Sequence, residues 1–222
     1  MDIHEAMEKR HAVRQYTDQE LDADTVAELK AEIDDCNREG GLHIQLVTDE
    51  PEAFSSFMAH YGKFTGVRNY IALVGQKNAG LDEKLGYYGQ RVVLKAQMLG
   101  LNTCWVALTY SKGKSRIQVG ADEKLVCVIS LGFGRTQGVP HKNKPLESLC
   151  QVDGEMPDWF RRGMEAALLA PTAMNQQKFL LTLSGAKVKA EATGGFYSKV
   201  DLGIVKYHFE IGAGTDNFTW VV

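Results

Sequence analysis

Residues 81–100, LDEKLGYYGQRVVLKAQMLG, decide the fold class of this 222-residue chain. Apolar residues recur in this segment at spacings of three and four, which is typical of one face of a helix. They are Leu85, Tyr88, Val92, Ala96 and Leu99. Gly100 stands where a helix commonly ends in a left-handed residue. The pattern predicts one long amphipathic helix over residues 82–99.

Short apolar runs on both sides of this helix predict strands. Residues 70–74 precede the helix, and residues 103–107 and 126–131 follow it. The run VCVISL at 126–131 is almost entirely apolar, which favours a central strand that is buried on both faces. Further helices are predicted near residues 2–10, 22–37, 157–169 and 201–213, and further strands near 42–47, 179–184, 187–193 and 218–221. Together these elements predict an α+β fold.

Two dipeptides recur in the second part of the chain and suggest an internal duplication. Leu85-Gly86 returns as Leu202-Gly203 after 117 residues, and Trp105-Val106 returns as Trp220-Val221 after 115 residues. The pattern predicts two similar halves, residues 1–150 and a shorter half at residues 151–222. Chance pairs of this kind also occur in α+β chains, so the alternative of no duplication stays open.

Composition excludes several classes of protein. The chain is 44% hydrophobic and 24% charged, with a net charge of -3, so neither a disordered tail nor a basic nucleic-acid-binding surface is expected. Its four cysteines form no C-x-x-C pair, which argues against a zinc ribbon. No apolar run is long enough to cross a membrane, and the first residues do not form a secretory signal. We therefore expect a cytoplasmic protein with reduced thiols.

The segment RHAVRQY at residues 10–16 carries the first candidate site. Arg10 and Arg14 are four residues apart directly after a predicted short helix, with His11 between them. Arginines so placed can converge on one phosphate, because the planar guanidinium makes paired hydrogen bonds to phosphate oxygens. The alternative is that both arginines are simply solvated.

The segment APTAMNQQ at residues 170–177 carries the second candidate site. It lies between a predicted helix and a predicted strand. Its small residues allow a flat ring to approach the backbone, and Asn175 and Gln177 offer amide groups to the edge of a heterocycle. The alternative is an ordinary connecting loop.

These segments together resemble the nitroreductase family of FMN-dependent oxidoreductases. Other segments fit the same family at the expected element boundaries. They are Gly86-Tyr87-Tyr88, GLNTCW at 100–105, LGFG at 131–134, and Lys142-x-Lys144-Pro145. The resemblance implies a nitroreductase-like α+β fold with a mixed central sheet flanked by helices.

The resemblance also implies a role for each matching residue. The FMN phosphate would be held by the segment containing Arg10, His11, Ala12 and Arg14, and would be reached by Lys142 and Lys144. The strand with Cys104, Trp105 and Val106 would lie beside the flavin ring. The ring would be covered by Pro171, Thr172, Ala173 and Asn175, with Gln177 close behind. No residue is assigned a catalytic role, and no metal is expected.

The order of the segments departs from the usual order in the family. There the covering loop follows the first helix after the arginine motif, where this chain has CNREGG at residues 36–41. Family members are homodimers in which one subunit supplies the arginines and the other supplies the loop. Here the two lie in different halves, so the resemblance implies a fused pseudo-dimer with one complete site. A monomer is favoured over a homodimer.

The resemblance implies a soluble enzyme that passes hydride from NADH or NADPH through FMN to a small electron-poor acceptor. A nitroaromatic compound or a quinone is the expected kind of acceptor, and neither a membrane nor a nucleic acid is an expected partner. One alternative is a non-enzymatic protein that stores FMN or senses redox state. Another is a structural remnant that has lost the cofactor.

Overall fold

The computed structural model of this chain describes residues 1–55 and 57–221. The fold is α+β, as predicted. Its α-helices are α1 (Ile3–Lys9), α2 (Ala23–Gly40), α3 (Phe57–Tyr61), α4 (Leu81–Met98), α5 (Asp158–Ala167) and α6 (Ser198–Ala213). Its strands are β1 (Gln45–Val47), β2 (Asn69–Gln76), β3 (Asn102–Val106), β4 (Glu123–Gly132), β5 (Cys150–Val152), β6 (Phe179–Ser184), β7 (Lys187–Ala192) and β8 (Thr219–Val221).

The first two helices begin at aspartate caps. The Asp2 carboxylate accepts the Glu5 backbone N–H at 2.9 Å, and the Asp22 carboxylate accepts the Thr25 backbone N–H at 2.7 Å. Each cap satisfies an amide that has no partner inside its helix. Helix α4 confirms the long amphipathic helix predicted from the sequence.

The chain folds into two compact units. The first contains residues 1–81 and 91–140, and the second contains residues 82–90 and 141–222. The units therefore differ from the predicted halves, because residues 82–90 and 141–150 belong to the second unit. The duplication of halves 1–150 and 151–222 stays a prediction.

The first unit contains a four-stranded antiparallel sheet in the order β1-β2-β4-β3. Strand β4 lies between two partners, with Ile129 opposite Ile71 on β2 and opposite Trp105 on β3. This confirms the central position predicted for residues 126–131. Ile71 and Ile129 are completely buried, so this strand pair forms part of the core.

The second unit contains a mixed four-stranded sheet in the order β5-β6-β7-β8. Strand β6 is parallel to β5 and antiparallel to β7, and β8 is parallel to β7. Strand β5, Cys150–Val152, is not among the strands predicted from the sequence. Helices α5 and α6 pack together, with the rings of Phe160 and Phe209 5.4 Å apart.

Within the second unit, the first part of α4 crosses α6 in backbone contact. A Cβ atom on Gly86 would overlap the Val200 carbonyl oxygen, and a Cβ atom on Gly203 would overlap the Glu83 carbonyl oxygen. The two contacts are reciprocal, because the offset of 117 residues that separates Gly86 from Gly203 also separates Glu83 from Val200. Only glycine allows backbones to approach this closely.

Candidate functional site

The turn at residues 10–16, which we call the arginine turn, is attached to the first unit by backbone hydrogen bonds. The Val13 N–H donates to the Thr103 carbonyl at 3.0 Å, and the Tyr16 N–H donates to the Thr65 carbonyl at 3.0 Å. Ala12 forms a bridge with Thr103 on β3. The arginine turn therefore sits against the start of the strand that the sequence predicts beside the flavin ring.

Tyr16 fixes the inside of the arginine turn. Its side chain is 1% exposed, and its hydroxyl donates to the Val13 carbonyl at 2.7 Å. The same hydroxyl shares a hydrogen bond of 2.8 Å with Ser130 Oγ on β4. Burial raises the pKa of Tyr16 well above its ordinary value, so this phenol stays neutral.

Arg10 carries the most unusual side chain of the arginine turn. It is 4% exposed, and its buried Nε has no hydrogen-bond partner among residues 1–55 and 57–221. Burial lowers its pKa to about 10, which still leaves it charged at neutral pH. A buried charge without a partner is costly, so this arrangement is suited to receiving an anion.

The other predicted phosphate ligands of the arginine turn are more exposed. The Arg14 side chain is exposed, with its guanidinium carbon 5.9 Å from the centre of the Phe64 ring. His11 is half-buried beside Gly138, where a Cβ atom would lie 2.7 Å from the His11 Cβ. Gly138 has a φ of +72°, so both space and backbone geometry favour glycine there.

Strand β3 brings the predicted ring-side residues next to the arginine turn. Cys104 and Val106 are buried in the same apolar cluster as Val13 and Tyr16, and Trp105 is half-buried. Burial raises the pKa of the Cys104 thiol, while the positive charges of Arg14 and Arg10 oppose that increase. No cation adjoins Cys104 in sequence, so only the fold reveals these two charges.

In the second unit, two predicted segments are joined through side-chain amides. Asn175 Nδ2 and Gln177 Nε2 each donate to the Lys142 carbonyl at 2.8 Å. Gln177 Nε2 also donates to Asn175 Oδ1 at 2.9 Å. Gln177 is 3% exposed, so its amide is committed to this internal network.

Lys144 strengthens the same junction. Its backbone N–H donates to Gln177 Oε1 at 2.9 Å, and its ammonium group donates to the carbonyls of Gln176 and Gln177 at 2.7 and 3.0 Å. Lys144 therefore stabilises the loop, whether or not it also reaches a phosphate.

The backbone of the loop at residues 171–177, which we call the amide loop, is strained. Met174, Asn175 and Gln177 have φ values of 52°, 53° and 44°, in the left-handed region. Residues other than glycine seldom adopt this conformation, and such residues cluster at functional sites. Thr172 Oγ1 supports the loop by accepting the Gln177 backbone N–H at 3.1 Å.

Asp201 contacts the amide loop of the candidate site and was not predicted from the sequence. It is 4% exposed in the first turn of α6, and its carboxylate accepts the Ala173 N–H at 2.9 Å and the Gln176 side-chain N–H at 2.7 Å. Burial raises its pKa to about 6. An aspartate near a helix start is common, so the sequence offered no signal for this contact.

The structure gathers the predicted site residues into two groups. Those in the first unit are Arg10, His11, Ala12, Arg14, Cys104, Trp105 and Val106; those in the second unit are Lys142, Lys144, Pro171, Thr172, Ala173, Asn175 and Gln177. Their roles towards a cofactor stay predictions. In the described ranges, no helix is long and apolar enough to cross a membrane, and no group of three or more His, Cys, Asp or Glu residues is arranged to bind a metal ion.

Fold and site together define an α+β protein with a buried cationic turn in one unit and a strained polar loop in the other. The family described as "Putative TM nitroreductase" matches residues 2–213. The chain belongs to this family, which confirms the resemblance drawn from its motifs. The comparison with curated proteins gave no match.

Solved structures of nitroreductases share the fold. A "putative nitroreductase" from Thermotoga maritima has a TM-score of 0.66 and 24% identity, over 96% of this chain and 83% of that one. A "putative nitroreductase in complex with FMN" from Desulfovibrio desulfuricans has a TM-score of 0.54 and 16% identity, over 71% of this chain and 98% of that one. A nitroreductase family protein from Streptococcus pneumoniae has a TM-score of 0.53 and 13% identity, over 66% of this chain and 98% of that one.

Proposed function

We propose that this protein is an FMN-dependent oxidoreductase of the nitroreductase type. The buried Arg10 guanidinium, whose Nε lacks a partner in the described part of the chain, is the observation that carries the proposal. A phosphate monoester supplies the negative charge and the acceptor oxygens that this guanidinium needs. The FMN complex of the structurally similar Desulfovibrio desulfuricans protein supports the choice of cofactor.

The residues of the first unit suit the phosphate end of FMN. Arg10 would supply the buried charge, and Arg14 would add a second, more exposed guanidinium. His11 and Ala12 lie between them on a backbone that is fixed by hydrogen bonds to β3. The clamp would thus be organised before the cofactor arrives, which lowers the entropic cost of binding.

The bound flavin would supply the redox chemistry, by accepting hydride from NADH or NADPH and reducing an electron-poor acceptor such as a nitroaromatic compound or a quinone. The chain would bind and orient this group. Cys104, Trp105 and Val106 would border the ring, and the amide loop would cover it. We assign no side chain as a catalytic acid or base.

Several polar groups of the amide loop are already engaged in hydrogen bonds, which limits those that can bind a flavin ring. Asn175 donates one amide proton to the Lys142 carbonyl, which leaves its second proton for a heterocycle edge. The Gln177 amide is engaged on both sides by the loop and by residues 142–144. We therefore propose that Asn175 contacts the cofactor directly and that Gln177 supports the loop from behind.

We further propose that the chain is a fused pseudo-dimer that binds one FMN as a monomer. The reciprocal contacts of Gly86 and Gly203 support this view, because a two-fold interface pairs residue i with j and residue j with i. Light scattering combined with flavin absorbance tests it. The expected result is a particle of 24.6 kDa with one FMN. An obligate dimer, with Asn175 of one copy reaching the flavin of the other, would contradict it.

A titration of the purified chain with FMN and with riboflavin tests the proposed function. Because riboflavin lacks the phosphate, we expect it to bind far more weakly than FMN. The loaded protein is then mixed with NADH or NADPH and with a nitroaromatic compound or a quinone, and oxidation of the nicotinamide is followed by absorbance. Binding of FMN without this oxidation would favour a storage or redox-sensing protein. Failure to bind FMN would contradict both functions.

A further inference from the structure

The amide loop is held in its strained conformation chiefly by polar side chains. Asp201 accepts hydrogen bonds from the Ala173 backbone and the Gln176 side chain, at the two ends of the strained segment. The Gln176 side chain also donates to the Phe196 carbonyl at 2.7 Å. One carboxylate therefore connects the loop to α6 and, through Gln176, to the turn before α6.

The environment of the Asp201 carboxylate contains no compensating cation in the part of the chain that the structure describes. Lys144 is close to the network, but its ammonium group binds the carbonyls of Gln176 and Gln177. Lys199, two residues before Asp201, is exposed. His141 bonds through Nε2 to the Leu168 carbonyl before the loop. The buried charge thus depends on two hydrogen bonds alone.

We propose that Asp201 is the positioning residue of the amide loop, and that ionisation of its buried carboxylate shifts the loop from a closed to an open conformation. The closed conformation is the one described above, in which both hydrogen bonds to Asp201 are made. In the open conformation the loop leaves Asp201, and water solvates the carboxylate. The function of this motion, exposing and covering the ring, rests on the proposed function.

The direction of the pH effect follows from burial. In the closed loop, desolvation raises the pKa of Asp201 to about 6 and outweighs the hydrogen bonds from Gln176 and Ala173, which act to lower it. A solvated aspartate has a pKa of about 3.9. The closed loop therefore binds a proton more tightly than the open loop does. Low pH favours closure, and opening increases as the pH rises from about 4 to above 6. The opening equilibrium constant should increase on the order of a hundredfold across this range.

Amide hydrogen exchange of the full chain without flavin tests the proposal. Exchange at residues 172–177 is measured between pH 4.5 and 7.5 and corrected for the intrinsic pH dependence of exchange. We expect the opening constant to increase tens of times towards neutral pH in the unmodified protein. In Asp201→Asn, where no charge can form, it should not change with pH. A flat profile in the unmodified protein, or a slope that survives in Asp201→Asn, would overturn the proposal.

Asp158→Asn is the matched control, because Asp158 is an exposed aspartate in the first turn of α5. It should leave the pH profile of the loop unchanged. If Asp201→Asn does not fold, a carbon NMR titration of the Asp201 carboxyl in the unmodified protein decides instead. A pKa near 6 supports the proposal, and a pKa of about 4 or below overturns it.

Addition of FMN separates this proposal from the proposed function. If the loop covers the ring, saturating FMN should slow exchange at residues 172–177. If FMN binds and exchange does not slow, the loop is not the ring cover. In that case the pH-dependent positioning of the loop by Asp201 would remain, without a role in covering the ring.

Discussion

The arginine turn and the amide loop both lie outside the α-helices and β-strands, yet they are held in different ways. The arginine turn is bonded through its backbone to residues of β3 and to Thr65, and none of residues 10–16 has a left-handed φ. The amide loop is bonded mainly through the side chains of Asn175, Gln177 and Asp201. Several of its residues are strained.

This difference separates a rigid element from an adjustable one. Backbone hydrogen bonds do not titrate, and no single side-chain substitution removes them all. Side-chain contacts to a buried carboxylate depend on pH and on a few residues. Under the proposed function, the arginine turn would anchor the FMN phosphate, and the amide loop would leave the ring accessible to substrates.

The substitution Arg10→Met should have the largest effect. Loss of the buried guanidinium should raise the dissociation constant of FMN about a hundredfold, because charge-assisted hydrogen bonds contribute about 1.5–3 kcal/mol each. Riboflavin binding should change little. The flavin-free variant should melt at a higher temperature, since it lacks a buried guanidinium whose Nε has no partner among residues 1–55 and 57–221. Calorimetric titration and thermal unfolding check both effects, and a less stable variant with normal FMN binding would make Arg10 purely structural.

Tyr16→Phe tests the rigidity of the arginine turn. The change removes the hydroxyl that bonds the Val13 carbonyl and Ser130 Oγ, so the unfolding free energy should fall by about 1–3 kcal/mol. Urea denaturation measures the loss. Tyr61→Phe is the control, because Tyr61 is 77% exposed and its change should have little effect on stability. Equal effects at both positions would mean that the backbone alone holds the turn.

Arg14→Ala should weaken FMN binding about tenfold, less than Arg10→Met, since the Arg14 side chain is exposed and its contacts compete with water. Equilibrium titration of flavin fluorescence measures the change. Arg38→Ala provides the comparison, because Arg38 pairs with Asp35 on the surface of α2. An unaltered affinity in Arg14→Ala would remove Arg14 from the clamp.

Asn175→Ala should have the smallest effect. The variant should still fold, and the binding free energy of FMN should change by about 1 kcal/mol, or the flavin reduction potential should shift by an equivalent amount. Asn175 has a φ of 53°, so alanine also adds backbone strain. Asn175→Gly removes the amide without this strain and separates the two causes. If both variants bind FMN normally but alanine lowers the melting temperature, Asn175 serves only the loop backbone.

The sequence predicted those features that depend on local patterns. The apolar stripe that begins at Leu85 runs along α4, and residues 126–131 of β4 are almost entirely apolar, so both elements were predicted. Strand β5 has three residues and helix α3 has five, too few to show a period. Arg10 and Arg14 could be proposed as phosphate ligands because their spacing is itself a pattern, and that role stays a prediction.

The supporting residues of the site were not predicted, because their contacts join distant parts of the chain. Tyr16 meets Ser130 across 114 residues, and Asp201 meets Ala173 across 28 residues. No periodicity or motif encodes such pairs. Burial creates their roles, since an ordinary tyrosine or aspartate becomes important only where water is excluded.

The close contact between α4 and α6 at Gly86 and Gly203 limits the substitutions that these two positions tolerate. Each glycine is confined by the backbone of the opposing helix, so trimming a neighbouring side chain cannot make room for a larger residue. A saturation library should return glycine at both positions, and the two depletion profiles should match residue by residue. If the chain descends from two fused copies, these two positions correspond to the same position in the ancestral dimer. Their matching tolerance to substitution would then be a remnant of the ancestral interface.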